Sequence, residues 1–144
     1  MNPDKVLSIT AEHFGTNVSE LKKVRGKGKG MPRKVACVML STFTTLSLKE
    51  VSIAAFDPPA YHQSVHASKQ KVGDKVDSNP AFAKSVNDLA KKLYDCSRAI
   101  DIRHNYRVTD LKENSNLRDG FDRVVFTGSY AECSAKRQEL LSQV

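Results

Sequence analysis

Two adjacent prolines, Pro58 and Pro59, stand between two stretches of helical pattern, and no helix runs through such a pair, because each ring removes a backbone donor and clashes with the preceding turn. Upstream, Ser47-Leu48-Lys49-Glu50 is a capping box, with serine at the cap and glutamate three residues on. It introduces a short helix carrying Leu48, Val51, Ile53, Ala54, Ala55 and Phe56. Downstream, a second helix is predicted from about Ala60. Val65 and Val72 are its apolar anchors, and Tyr61, His62, Gln63, Ser64, His66, Ser68, Lys69, Gln70 and Lys71 are expected to face outward. A capped helix, a tight break and a polar-faced helix make a helix-turn-helix.

The segments around this pair also read as helices. Asn2-Pro3 joins a capping side chain to a proline at the first helical position, and Leu7, Ala11 and Phe14 share one face before Gly15, which predicts a helix over residues 3–14. Val18-Ser19-Glu20-Leu21 predicts one short helical turn. Pro32 opens a third helix through Val35, Cys37, Val38, Met39 and Phe43 to Thr44 or Thr45; it is apolar on most sides and so expected at the centre. Asn79-Pro80 repeats the start signal, and Phe82, Val86, Leu89 and Leu93 form an amphipathic face to about residue 97, more suited to closing the core than to a dimer seam.

After Arg98 the period changes to two. Ile100, Ile102, Tyr106 and Val108 predict one strand, residues 113–120 a polar turn, residues 122–127 a second strand, and residues 130–142 a helix started by Gly128-Ser129. Within it Glu132, Cys133 and Arg137 do not form a base, nucleophile and orienting group. The expected fold is therefore mainly α: a helical bundle over residues 1–97 with a small strand-strand-helix extension over residues 98–144.

Charge is unevenly placed. The 144 residues carry a formal +7. Residues 1–97 hold 15 basic and 9 acidic side chains, against 8 and 7 in residues 98–144. Residues 22–34 contain seven cations, Lys22, Lys23, Arg25, Lys27, Lys29, Arg33 and Lys34, interleaved with glycine and free of acids. Such a segment cannot enter a core. It suits a solvated loop that tracks phosphates or enters a minor groove, so a polyanionic partner is expected. It is not a P-loop, since no G-x-x-x-x-G-K-[ST] occurs.

Several classes are disfavoured. Cys37, Cys96 and Cys133 are odd in number, with no C-x-x-C pair, so buried reduced thiols are expected rather than a disulfide framework or a zinc site. His62 and His66 lack the acid of an H-E-x-x-H motif, and no cofactor or metal is expected. No apolar run approaches the ~18 residues of a membrane span, and the first residues lack a signal-peptide pattern, so no membrane partner and a cytoplasmic location are expected. No catalytic constellation is present, so an enzyme is the least favoured class.

Residues 3–97 resemble the C-terminal DNA-binding domain of the bacterial replication initiator DnaA, and similar modules of transposase-like proteins. The resemblance lies in Val18-Ser19-Glu20-Leu21 before a basic loop, Met31-Pro32-Arg33-Lys34-Val35-Ala36 opening the long helix, Leu46-Ser47-Leu48-Lys49-Glu50-Val51 opening the helix-turn-helix, Phe56 before the turn, and Val65-His66-Ala67 in the recognition helix. It implies a helical bundle that binds duplex DNA through a basic loop in the minor groove and a recognition helix in the major groove. By position, Arg25 and Lys27 take the minor-groove role, Arg33 a phosphate or base-edge role, Leu48 a contact near the first helix of the motif, and His66 a backbone or base contact. Where the family carries Gly-Gly-Arg-Asp-His-Thr-Thr before its recognition helix, this chain has Asp57, Pro58, Pro59, Ala60, Tyr61, His62 and Gln63, which implies a different base preference.

The expected function is thus non-catalytic binding of double-stranded DNA, in replication, transposition or transcriptional control. Lys23, Arg25, Lys27, Lys29, Arg33, Lys34, Leu48, Lys49, Tyr61, His62, Gln63, Ser64, His66 and Lys69 are the candidates for DNA contact, the loop cations on phosphates or in the minor groove, Gln63 suited to a bidentate bond to adenine and Tyr61 or His62 to a phosphate contact. Two alternatives stay open. One is an RNA-binding module; the other is an interaction adaptor in which residues 98–144 hold a protein partner. The sequence leaves the oligomeric state open.

Overall fold

The computed structural model describes residues 1–23, 30–93, 102–110 and 114–143, the side chain of Arg103 excepted. The chain divides into two compact units, Met1–Ile100 and Asp101–Val144. Within the described residues it is mainly helical, with one small antiparallel sheet.

The first unit contains α1 (Pro3–His13), α2 (Val18–Lys23), α3 (Met31–Phe43), α4 (Leu48–Ala55), α5 (His62–Ser78) and α6 (Pro80–Leu93). The predicted starts are built as the caps require. Asn2 Oδ1 accepts from the Asp4 amide at 2.8 Å. Ser47 and Glu50 form both halves of the capping box, the Glu50 carboxylate accepting from the Ser47 amide at 2.7 Å. That bond holds the Glu50 carboxyl below the ordinary carboxylate range. The third helix is central, as its composition predicts: Val35, Ala36, Cys37, Val38, Met39 and Leu40 are buried in succession, and α3 touches each of the other five helices of the unit. The apolar face of α6 buries Val86, Leu89 and Leu93 within the bundle, packed against α5, α1 and α3. Its predicted continuation to residue 97 lies outside the described residues.

His13 ties α1 to α6. Lys92 Nζ lies 3.1 Å from His13 Nδ1 and Ser85 Oγ lies 2.9 Å from Nε2. An ammonium can only donate, so Nδ1 is the acceptor and Nε2–H donates to Ser85. Burial, and then the Lys92 charge, lower the His13 pKa from 6.5. A depressed folded pKa contributes stability above the unfolded value that is lost as pH falls. The melting temperature of the first unit is expected to decline as pH drops from 7 through 6 toward 5, and His13→Gln, which keeps polar reach without titrating, is expected to flatten that decline in a calorimetric pH series.

The second unit departs from the expected pattern. It holds a 3-10 turn (Ile102–His104), β1 (Arg107–Thr109), β2 (Ser115–Arg118), β3 (Val124–Gly128) and α7 (Tyr130–Ser142), with sheet order β1-β2-β3, all antiparallel. The extension is therefore three strands and a helix rather than strand-strand-helix. The segment read as a polar turn over residues 113–120 contains the central strand. In β2 only Ser115 and Leu117 face inward, both fully buried, and Leu117 stands between Val108 and Phe126. One apolar residue in four reads as a loop until both neighbouring strands are present. Ile102, predicted on the first strand, is instead buried within the 3-10 turn.

The connection from β2 to β3 is organised by Asp119, which is buried. Its Oδ1 accepts from the amides of Phe121 (2.9 Å) and Arg123 (3.0 Å), and its Oδ2 meets Arg123 Nε at 2.9 Å and Nη2 at 2.8 Å. Gly120 is obligatory there, since a Cβ would stand 1.8 Å from the Ile102 carbonyl oxygen. Asp122, also buried, pairs with Arg107. Cys37 and Cys133 are buried free thiols, as expected; Cys96 lies outside the described residues.

Candidate nucleic-acid interface

Pro32 stands in the first turn of α3, and Arg33 and Lys34 follow it there. The Arg33 guanidinium lies over the Phe56 ring at 4.6 Å, and its Nη1 donates to the Lys22 carbonyl at 3.2 Å. The Asp57 amide donates to the same carbonyl at 3.2 Å. One backbone oxygen at the end of α2 therefore joins α2, the start of α3 and the break before α5. Arg33 Nε is buried without a hydrogen-bond partner. Lys23 and Asp57 approach at 3.9 Å with both side chains more than half exposed, a contact worth no more than ~1 kcal/mol. Lys23 and Gly30 border residues 24–29, so Arg25, Lys27 and Lys29, the centre of the predicted basic loop, lie outside the described residues.

Lys34 folds back over Gly30, its Nζ 2.9 Å from where a Cβ on that glycine would stand. Burial lowers its pKa, and Lys71 of α5 and then Arg33 lower it further. Neither Lys34 nor Lys71 makes an ion pair among the described residues, so the charges of Lys71 and Arg33 act on Lys34 without a compensating partner there. One turn along α3, burial pushes the Cys37 thiol up to about 12 against the pull of Arg33, Lys69 and Lys34. That thiol is inert as a nucleophile at neutral pH.

Lys69 corrects the sequence reading. Predicted outward and counted among the DNA contacts, it is only 4% exposed, and Ser68, also predicted outward, is buried beside it. Position 69 shares the stripe of Val65, Val72 and Val76, at helical spacings of four, three and four, all facing the core. Its stem packs inward, and its charge acts on the Cys37 thiol. Lys71, absent from the sequence-based candidates for DNA contact, is the exposed cation on this part of α5. The helical spacing of Val65 and Val72, carried through residue 69, contains the signal that exchanges the two lysines.

The start of α5 is open. Tyr61, at the cap position, is 83% exposed and makes no side-chain cap bond, and His62 and Gln63 are exposed beside it. Gln63, Ala67 and Lys71 follow at intervals of four on one exposed face, so Gln63 and Lys71 are separated by about 12 Å along the axis. Ser64 is half-buried, its carbonyl accepting from Ser68 Oγ at 2.6 Å. His66 is also half-buried, with its Nε2 3.0 Å from Gln70 Nε2. At the start of α4, Lys49 is exposed and Leu48 half-buried. The fold thus brings Arg33, Lys34 and Lys71 together, places Lys23 at the edge of the same region, and leaves Tyr61, His62 and Gln63 at the other end of the Lys71 face.

Among the described residues no three His, Cys, Asp or Glu side chains group as metal ligands, and no helix is long and apolar enough to cross a membrane. Neither a protein-family model nor a curated protein matches this chain.

Proposed function

We propose that this chain is a non-catalytic protein that binds double-stranded DNA through its first unit, with α4 and α5 as a helix-turn-helix. The observation that carries the reading is the Arg33, Lys34 and Lys71 cluster. Like charges that act on Lys34 with no ion pair to Lys34 or Lys71 among the described residues oppose its charged form, and a phosphate backbone is the ligand that offsets this. The cluster stands where the acid-free segment of residues 22–34 enters α3, and it shares the exposed α5 face that leads to Gln63. Lys34 and Lys71 contact phosphates in this reading, and Gln63, His62 and Tyr61 meet the duplex at the start of the recognition helix. The resemblance of residues 3–97 to the DnaA C-terminal domain supports the same assignment. The replaced stretch from Asp57 to Gln63 gives the chain a site of its own, in replication, transposition or transcriptional control. A single-strand RNA reader is less favoured, because such modules stack bases on several exposed aromatic rings and Tyr61 stands alone on the α5 face.

The test is selection from a random-sequence duplex pool and a matched single-stranded RNA pool at several salt concentrations. Enriched duplex sites with a steep log-log salt slope are expected. Weak, unenriched binding to both pools refutes the reading. Within it, Arg25→Ala combined with Lys27→Ala is expected to weaken all duplexes alike and flatten the salt slope, whereas Gln63→Ala shifts the preference among sequences, with a cost of about 1–3 kcal/mol on the preferred site. Equal effects from both would refute that division of labour.

A further inference from the structure

The second unit carries a recess that the DNA-binding reading does not use. Between β1 and α7 lies a groove of about 640 Å³ lined by Tyr106, Val108, Tyr130, Ser134, Arg137 and Gln138, among others, a size that accepts several side chains. Tyr106 and Val108 alternate on one side of the strand, and residues 130, 134, 137 and 138 form a single helical stripe facing them. Tyr130 is 61% exposed and Val108 half-buried, so the apolar lining is open to solvent.

Two features indicate what fits. First, β1 is an edge strand: β2 pairs with it on one side, and among the described residues nothing pairs with the other. A strand edge beside a groove is the template for adding an extended peptide, whose alternate side chains enter the groove. Second, the charged lining is wholly basic, consisting of Arg107 and Arg137. Arg107 is neutralised by Asp122. Arg137 donates its Nε to the Tyr106 carbonyl at 3.0 Å and makes no ion pair among the described residues. That bond holds its guanidinium at the residue that precedes β1, with its terminal amino groups left for a carboxylate.

We propose that this groove docks an extended segment of a partner protein, which adds as a fourth strand beside β1, places an apolar side chain between Tyr106 and Tyr130, and meets Arg137 with an Asp or Glu carboxylate. A nucleic-acid strand is disfavoured. The outer face of the sheet is occupied by the hydrogen bonds of Thr109, Asn116, Thr127 and Arg118, with the Asp110 carboxylate among them, and it offers no described aromatic ring on which a base could stack.

The experiment is selection of a displayed random-heptapeptide library against the full chain, followed by binding of the synthetic consensus peptide. Enriched peptides are expected to carry an acidic residue within an alternating apolar pattern, and to shift backbone amide resonances of residues 106–110 together with those of α7. Arg137→Gln, an exposed change that keeps the fold, is expected to weaken the peptide roughly tenfold or more while leaving duplex binding unchanged. The proposal is overturned by no enrichment, by enrichment without acidic residues, by full affinity in Arg137→Gln, or by a decathymidine strand shifting the same amides and displacing the peptide.

Discussion

The variant carrying Lys34→Ala and Lys71→Ala is expected to bind every duplex more weakly while melting no lower than the wild-type chain. Each phosphate neutralised contributes about 0.9 to the slope of log affinity against log salt, so removing two contacts lowers the slope by roughly 1.8. Over a fourfold rise in salt, from 50 to 200 mM, the wild-type affinity then falls about tenfold further than that of the variant. Sequence preference is expected to stay as it is, because neither lysine reads a base in this assignment. The stability half is the sharper test. Burial, and then the Lys71 and Arg33 charges, oppose the charged form of Lys34, so truncation relieves an unfavourable charge and removes no ion pair among the described residues. Arg33→Ala does not make this test, since it also discards the Phe56 contact and the bond to the Lys22 carbonyl. Duplex affinity and salt slope equal to wild type would remove the cluster from the interface.

Asp119→Ala is expected to cause the largest loss of stability in the second unit, about 3–5 kcal/mol, the scale for removing one partner of a buried ion pair. The Arg123 side chain is 22% exposed and that of Asp119 5%, so solvent screens the pair little. The change also leaves the Phe121 and Arg123 amides without their acceptor. Both lie in the connection that sets the register of β2 against β3. Asp119→Asn keeps an oxygen for those amides and loses the charge, so it is expected to cost less. Thermal unfolding followed through amide resonances of residues 115–128 checks both variants; equal, small losses would show that the carboxylate does not organise the turn.

Much of the first unit is legible in its residues because the signals are local. Asn2 before Pro3, Ser47 with Glu50, and Asn79 before Pro80 each satisfy backbone donors within one helical turn, so the starts of α1, α4 and α6 need no tertiary information. The apolar run from Val35 to Leu40 is likewise too long to lie on a surface. The candidate interface is legible only in part. That residues 22–34 repel a core follows from their charge, but Lys69 and Lys71 carry the same group two positions apart, and whether each meets solvent or protein depends on which stripe of α5 packs on α3. Residue type alone puts Lys69 outside, because lysine ordinarily lies there.

The second unit shows the opposite balance. Ser115-Asn116-Leu117-Arg118 has a weak preference for a strand, and its place at the centre of the sheet comes from partners on both sides, Val108 and Phe126 flanking Leu117. The sequence by itself determined the helical starts, the central helix, the break at Pro58-Pro59 and the concentration of positive charge, since these rest on caps, period and composition. Tertiary structure alone decided which lysine of α5 is buried, that three strands rather than two form the sheet, and that Arg33, Lys34 and Lys71 share one cluster, because each depends on contacts between residues far apart along the chain.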